Sequence, residues 1–409
     1  MMRKYFDRPE PEYRLMAIAA ARLRSEGLSQ LLIAKRLRRS QPEVSRMLDF
    51  AEKHRFLASA PSFLSQNIGP AELKEVERRF FVHLELRQAL SKLAPARLHL
   101  NVQVLPDGDD EFAMAAAGCV ARLLQRAKFV GVMWGRTIQR LVSRIGEHRE
   151  LFDQAGRREA LCIPLCGDPV RLMNLGLAKY SASHLAAQLA QAINPDPERQ
   201  SNQPCLVGVP AYLPRRLFLR QGSGAAANWE AFVAEIPGYR EIFGPNGEQP
   251  WVERLDMILS GAGIIAQQTR PGARRVAGEP TAAHEETGDF ILERVKQEAQ
   301  EKEGLSEATL ARLVYGDIGG WLIEKHDLRA AERRLVESLN QGWTGVKGVH
   351  FARVARNAEP DGAPGIILVA AGASKAEMVV ELVKRGFVNE ILIDSNLSSA
   401  LKKLLGLDQ

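Results

Sequence analysis

Near the N-terminus, hydrophobic positions recur every three or four residues and predict three short helices. The first is "EYRLMAIAAARLRSEG", which Gly27 is placed to end. Ser29 and Ser40 are placed to cap the second and third. The inward positions are Leu15, Ile18, Ala19 and Leu23, then Ile33, Ala34 and Leu37, then Val44 and Leu48.

The segment between the second and third helices predicts a tight turn. Ser40-Gln-Pro-Glu43 fits a capping box, and proline is tolerated in the first turn of a helix. Ala34 is small, as expected where two helices cross closely. Arg38 stands where many such turns carry glycine. The pattern predicts a helix-turn-helix whose last helix is free to enter a DNA major groove.

Charge is distributed unevenly and supports this interpretation. Residues 1–60 hold 13 Lys/Arg and 7 Asp/Glu, so their formal charge of +6 equals that of the whole chain. A cationic N-terminal region is typical of a polyanion-binding domain, although a solvated basic face without a partner remains an alternative. The candidate DNA-binding residues are Lys35, Arg36, Arg38 and Arg39 for phosphates, Gln41 and Arg46 for base edges, Ser45 for either, and the capping Ser40.

The chain changes character after Ala58. "ASAPSFLSQNIGP" is rich in turn-forming residues and predicts a boundary with room for a short wing strand. "AELKEVERRFFVHLELRQALSKLA" predicts an amphipathic helix that joins two domains or pairs with another subunit. We therefore expect a DNA-binding domain at 1–60, a linker or oligomerisation helix at 61–95 and a second domain at 96–409.

Short apolar strands alternate with helices through the second domain. Strands are predicted in "LHLNVQVL", "KFVGVMWG", "EALCIPLCG", "QPCLVGVPAYL", "LDMILSGAG", "GIILVAAG" and "VNEILID". Helices are predicted in "EFAMAAAGCVARLLQRA", near Thr137, in "SASHLAAQLAQAI" and after the last two strands. This alternation is typical of a Rossmann-like α/β domain with a mainly parallel sheet. The polar stretch from Pro271 to about Ala308 predicts a loop or insertion.

Three glycine-bearing turns are candidates for ligand binding, because open α/β sheets bind ligands beyond the carboxyl ends of their strands. Gly135, Arg136 and Thr137 lie where backbone N–H groups can hold an anion. Gly372 and Lys375 occupy a second such turn, and Asp317 lies among glycines in a third. Each is also compatible with an ordinary tight turn. None matches a nucleotide-binding fingerprint.

Composition narrows the class of protein. At 45% hydrophobic and 25% charged residues, the chain is globular rather than disordered or collagen-like. Four irregularly spaced cysteines are expected to be buried thiols in a reducing cytoplasm, although Cys162 and Cys166 could also form a metal or redox pair. No apolar run reaches the length of a membrane span, and the N-terminus lacks a signal-peptide core. We expect no cofactor, metal or membrane partner.

Taken together, these motifs resemble the SorC family of sugar-binding transcriptional regulators. The carriers are "GLSQLLIAKRLRRSQPEVSRML", "VGVMWGRTIQRLV", "YSASHLAAQLAQAI", "GDIGG" and "LVAAGASKAEMVVELVKRGFVNEILIDSNLSSALKKLL". The resemblance implies a C-terminal domain with the fold of ribose-phosphate isomerases, glucosamine-phosphate deaminases and CoA transferases, and a dimer or tetramer whose DNA binding is modulated by a sugar phosphate or a related metabolite. It also implies that Gly135, Arg136 and Thr137 form a phosphate loop, Asp317 an acidic loop and Lys375 a closing lysine. Ala373 departs from the family's second glycine.

Three functions are compatible with the sequence. The first is an effector-responsive DNA-binding regulator with no catalytic residue. The second is a sugar-phosphate isomerase or deaminase with an appended helix-turn-helix. Such an enzyme would need a positioned acid-base residue such as Asp317 and a phosphate clamp at Gly135–Thr137. The third makes the N-terminal region a protein-interaction module and the remainder a scaffold.

Overall fold

The structure is a computed structural model of the chain, and the residues it describes form two compact units. These residues are 11–25, 28–37, 39–58, 63–80, 82–152, 160–168, 178–194, 206, 209–212, 235–244, 250–264 and 307–407. The units are Met1–Gln88 and Ala89–Gln409. The division at residues 60 and 95 stays a prediction.

The N-terminal unit is helical and has its own hydrophobic core. Its helices are α1 (Pro11–Ser25), α2 (Gln30–Leu37), α3 (Gln41–Lys53), α4 (Pro70–Phe80) and α5 (Val82–Ser91), the last of which continues past Gln88. The three predicted helices are confirmed, and their inward residues are buried. Val76 and Leu84, from the segment predicted as a linker, join the same core as Ile18 and Val44. An isolated antiparallel bridge pairs Leu57 with Phe63 where a wing was predicted.

A bidentate salt bridge joins the first helix to the fourth. Arg14 donates from Nε to Glu72 Oε1 at 2.6 Å and from Nη2 to Glu72 Oε2 at 3.2 Å. The Arg14 guanidinium also lies 4.8 Å from the centre of the Phe56 ring. A bidentate pair of this kind fixes direction as well as distance, so it sets how α4 packs on α1.

The C-terminal unit is built on a parallel sheet. In the described residues the order is β1-β8-β7-β4-β2-β3, and each neighbouring pair is parallel. The mainly parallel α/β architecture is therefore confirmed. The strands are β1 (Asn101–Val104), β2 (Phe129–Val132), β3 (Leu161–Pro164), β4 (Met257–Ile264), β5 (Val314–Ile318), β6 (Trp321–Glu324), β7 (Gly365–Ala370) and β8 (Glu390–Ile393).

Helices cover both faces of this sheet. Successive side chains of a strand point to opposite faces, and those of β7 are buried on both. Ile367 and Val369 of β7 join a core formed with the three helices that follow β1, β2 and β3, whereas their buried neighbours Ile366 and Leu368 point to the opposite face. The helices are α6 (Asp109–Leu124), α7 (Arg136–Ile145), α8 (Ala182–Ile193), α9 (Pro237–Phe243), α10 (Glu307–Leu313), α11 (Ala330–Gln341), α12 (Gly348–Arg356), α13 (Ala376–Lys384) and α14 (Ser395–Leu404).

An antiparallel hairpin extends the sheet from the far end of β4. Ala262 of β4 pairs with Ile318 of β5, and β5 returns as β6 through a turn at Gly319 and Gly320. The predicted "GDIGG" loop is therefore the end of a strand plus a hairpin turn. Because β5 runs antiparallel to β4, this turn points back toward the carboxyl edge of the parallel strands.

One predicted strand is wrong in the residues that can be described. "QPCLVGVPAYL" contributes only isolated bridges, from Pro210 to Asp168 and from Tyr212 to Trp343. Val209 and Tyr212 are buried nonetheless. Backbone hydrogen bonds join Val209 and Ala211 to Asp168, and Ala211 to Thr344, so residues 209–212 form a buried connection. The insertion predicted from Pro271 to Ala308 lies outside the described residues up to 306, and α10 begins at Glu307.

A buried asparagine joins the centre of the sheet to its surroundings. Asn389 is fully buried. Its Oδ1 accepts from the Ile366 N–H at 2.8 Å, and its Nδ2 donates to the carbonyls of His99 at 2.9 Å and Ala355 at 3.0 Å. One side chain thus satisfies backbone groups from β7, α12 and the approach to β1.

We predict that Asn389→Ala lowers the free energy of unfolding of the C-terminal unit by about 3 kcal/mol, because it leaves three backbone groups, two of them buried, without this partner. All five tryptophans lie in residues 89–409, so urea unfolding followed by tryptophan fluorescence reports this unit. The exposed Asn357 supplies the control, since Asn357→Ala is expected to change stability by less than about 0.5 kcal/mol. Equal unfolding midpoints for the two variants would contradict the prediction.

Candidate functional site

The helices α2 and α3 form the predicted helix-turn-helix. Ile33, Ala34 and Leu37 of α2 are buried, and so are Val44 and Leu48 of α3. Ala34 is only 4% exposed, which is consistent with its place at the helix crossing. The inward faces match the prediction, so the opposite face of α3 is outward.

The start of α3 is held by a capping box. The Glu43 carboxylate accepts from the Ser40 N–H at 2.9 Å and from the Ser40 hydroxyl at 2.7 Å. These two hydrogen bonds lower the pKa of Glu43. Pro42 occupies the first turn of the helix, where its missing N–H removes no helical hydrogen bond.

The predicted DNA-binding residues lie on this unit, mostly with exposed side chains. Ser45 is half-buried, and Arg38 lies outside the described residues. Arg39 donates from Nε toward Met16 Sδ at 3.3 Å, so its stem lies over α1. The exposed members are Lys35, Arg36, Arg39, Ser40, Gln41 and Arg46.

A histidine that sequence reasoning missed contacts this group. His83 of α5 is 8% exposed, and its Nδ1 lies 3.2 Å from Nη2 of Arg36. Burial, together with the nearby charges of Arg36, Arg22 and Arg87, lowers the pKa of His83 to about 3. A single histidine on an amphipathic helix, 47 residues from its partner, carries no sequence signal for this contact.

The second candidate site lies at the carboxyl edge of the parallel sheet, where β2 ends. Gly135 has φ of +125°, a conformation that favours glycine, and a Cβ at this position would meet open space. Its N–H donates to the Tyr180 carbonyl at 3.3 Å, and α7 begins at the next residue, Arg136. Arg136 is exposed and Thr137 half-buried. An open backbone turn at a helix N-terminus suits an anion.

The loop after β7 has the same character. Gly372 has φ of +96° and also borders open space. Its N–H donates to both carboxylate oxygens of Asp394, at 3.0 and 3.1 Å, and Asp394 caps α14 by accepting from the Leu397 N–H at 2.9 Å. Lys375 is half-buried at the end of this turn, which packs against β4 and α14. Asp394 was not predicted, although its position just before a helix is the signal of a capping residue.

Asp317 is buried and engaged with the backbone of its own hairpin. Its Oδ2 accepts from the Gly320 N–H at 2.7 Å. The turn lies against residues of the sheet edge, because Gly319 contacts Met133 and Gly320 contacts the Trp343 ring. Met133 is two residues before Gly135, so the structure brings the hairpin turn beside the β2 loop.

Two features are absent from the residues that the structure describes. Helices with the length and hydropathy of a membrane span do not occur among them. Neither do clusters of His, Cys, Asp or Glu that could hold a metal ion.

One solved structure is similar to this chain over both units. No protein-family model matches the sequence, and no curated protein matches it. The full-length sorbitol operon regulator SorC from Klebsiella pneumoniae is similar in structure, with a TM-score of 0.50 and 15% identity over 97% of this chain and 100% of that one. This chain has the fold of that regulator.

Further solved structures are similar over the greater part of the chain. A probable sor operon regulator from Shigella flexneri has a TM-score of 0.49 and 16% identity, covering 78% of this chain and 98% of that one. A transcriptional regulator from Streptococcus pneumoniae has a TM-score of 0.48 and 14% identity, covering 80% and 98%. The fold expected from the sequence motifs is confirmed by the similarity to the full-length Klebsiella regulator, whereas the roles of individual site residues stay predictions.

Within this SorC-like fold, the N-terminal unit is predicted to lose stability in acid. His83 is held neutral in the folded state, so the unfolded state binds the extra proton as pH falls below 6.5. The stability contributed by the neutral His83 ring is complete above pH 6.5. The free energy of unfolding then declines as pH falls toward about 3, by at most about 1.4 kcal/mol per pH unit. NMR of histidine-labelled protein should show a neutral His83 ring down to about pH 4, with His83→Asn identifying the resonance. A midpoint at or above 6.5 would contradict this.

Proposed function

We propose that the chain is a transcriptional regulator that binds duplex DNA through its N-terminal unit and a sugar or sugar phosphate through its C-terminal unit. The observation that carries the proposal is the outward face of α3, with exposed Gln41 and Arg46 next to the cations of α2 and its turn. The fold shared with a full-length sorbitol operon regulator supports it.

The α3 face has the chemistry that base recognition requires. Arginine pairs with guanine edges and glutamine with adenine edges, so Arg46 and Gln41 are the proposed base-reading residues. Val44 and Leu48 anchor the opposite side in the core, which leaves α3 as a rigid support for a major-groove contact. Ser45 is proposed to bind either a base or a phosphate.

Phosphate contacts are proposed for the cations around the turn and for the capping serine. Each phosphate neutralised by Lys or Arg releases counterions, so these residues add affinity without sequence preference. The proposed set is Lys35, Arg36, Arg38, Arg39 and Ser40.

The effector is proposed to bind where the β2 and β7 loops leave the sheet. Gly135 and Gly372 both border open space with positive φ, which lets a ligand approach the backbone. Arg136, Thr137 and Lys375 supply charge and hydrogen bonds suited to a phosphate or a sugar oxygen. Asp317 is a proposed acceptor for a sugar hydroxyl, since a carboxylate oxygen that binds one N–H can accept another donor.

We propose no catalytic role and a homo-oligomeric assembly. The enzyme alternative would need an acid-base group such as Asp317, whereas the proposed regulator uses Asp317 only as a hydrogen-bond acceptor. A helix-turn-helix regulator reads two half-sites about one DNA turn apart, which requires a dimer or tetramer. Such a regulator acts on chromosomal DNA, so we propose a cytoplasmic location.

Arg46→Ala is predicted to weaken binding to a duplex selected from a random-sequence library by about tenfold to a hundredfold, and binding to random DNA far less. Lys35→Ala and Arg39→Ala should weaken both equally and lower the slope of log K against log salt by about one. Fluorescence anisotropy at several salt concentrations measures these effects. Lys384→Ala removes the same charge from an exposed position of the C-terminal unit and should leave both affinities unchanged. If Arg46→Ala lost equal affinity for both duplexes, Arg46 would contact phosphate alone.

The proposed effector site predicts that a sugar phosphate raises the melting temperature, because a ligand that binds only the folded state stabilises it. Gly135→Ala and Gly372→Ala put a methyl group into the open space and should abolish this rise. Gly406→Ala is a matched control, since Gly406 also has positive φ (+68°) and borders open space but lies beyond α14. After incubation with the protein, the NMR spectrum of the sugar phosphate should be unchanged. Turnover of the ligand would favour the enzyme alternative.

A further inference from the structure

The contact between Arg36 and His83 joins a proposed phosphate-binding residue to a buried group on another helix. Arg36 lies on α2 with an exposed side chain, whereas His83 lies on α5 in the interior of the N-terminal unit. Their 3.2 Å separation is a hydrogen-bond distance. The guanidinium is therefore held at one end by the core while the residue remains accessible to solvent.

The chemistry of the pair determines which nitrogen carries the imidazole proton. A guanidinium has donors and no acceptor, so His83 Nδ1 must accept and the proton must be on Nε2. The charges of Arg22, Arg36 and Arg87 around a buried ring also oppose a second proton. His83 is thus a neutral acceptor surrounded by cations.

We propose that His83 is a positioning residue for DNA binding, holding the Arg36 guanidinium in the place from which it binds a phosphate. This inference rests on the proposed function. A carboxylate in the place of His83 would orient Arg36 equally well but would cancel its charge, whereas a neutral imidazole restrains the side chain without itself cancelling that charge. Restraint matters because an arginine side chain loses rotamer entropy when it binds a phosphate, and a side chain already held in place has less to lose.

A purely structural role makes a different prediction. If the contact only joins α2 to α5, loss of His83 lowers stability but leaves the number of phosphate contacts unchanged. That number is measured by the slope of log K against log salt, which changes by about 0.9 for each phosphate contact to duplex DNA. The slope therefore distinguishes positioning from packing.

The test uses the full chain and a random-sequence 30-base-pair duplex, whose binding depends on phosphates alone. His83→Leu should lower the slope by up to about 0.9, which is the loss expected for Arg36→Ala. The double variant should match Arg36→Ala alone. His83→Asn, whose Oδ1 can take the place of the accepting Nδ1, should retain the wild-type slope. Leu84→Ala, a buried change on the same helix, should lower stability without changing the slope.

Several outcomes would overturn the inference. They are an unchanged slope in His83→Leu, or a further loss of slope when it is added to Arg36→Ala. A wild-type chain that bound no duplex at all would overturn the proposed function, and this inference with it. If the slope changed for His83→Leu but the wild type selected no sequence, the inference would be supported. The proposed base-reading role of Arg46 would then be contradicted.

A second measurement does not require His83→Leu to fold. In ¹⁵N spectra of histidine-labelled protein, His83 Nδ1 should be the unprotonated nitrogen. Its resonance should shift in Arg36→Ala, where the hydrogen-bond donor is lost from an exposed position. Protonated Nδ1, or a resonance that Arg36→Ala leaves in place, would overturn the inference.

Discussion

The C-terminal unit depends on one constraint, the parallel pairing of β1, β8, β7, β4, β2 and β3. Parallel strands all end at the same edge of the sheet, so the loops after β2 and β7 open on one side although they are far apart in the chain. The antiparallel hairpin of β5 and β6 turns back to that edge and lies against Met133. The proposed ligand site is therefore a consequence of strand direction, with Asn389 helping to hold the strands in place.

In the N-terminal unit, the packing of one helix face determines which face of that helix is exposed. The buried face of α3 packs on α1 and α2, and this packing leaves Gln41 and Arg46 outward. Because residues 1–60 hold a net charge equal to that of the whole chain, the proposed attraction to DNA is concentrated on this unit. The neutral His83 restrains one of these cations without weakening its charge.

Local patterns were sufficient to predict part of this structure. The helical spacing of Ile33, Leu37 and Val44 predicted the helix-turn-helix, because each helix buries one face irrespective of the rest of the chain. The alternation of strands and helices likewise predicted the parallel sheet. In the run "QPCLVGVPAYL", the described residues 206 and 209–212 contribute isolated bridges instead of the predicted strand. A buried connection and a buried strand have the same hydropathy, so the pattern does not separate them. The contacts of Arg36 with His83 and of Gly372 with Asp394 depend on tertiary packing, which no local pattern encodes.

The proposed regulator requires metabolite binding and DNA binding to be thermodynamically linked. The most direct test measures the affinity of the selected duplex with and without the sugar phosphate that most raises the melting temperature, and the affinity of that sugar phosphate with and without the duplex. Linkage requires both affinities to change by the same factor, and we predict a factor of about five or more. Affinities that stayed the same in both directions would contradict the account.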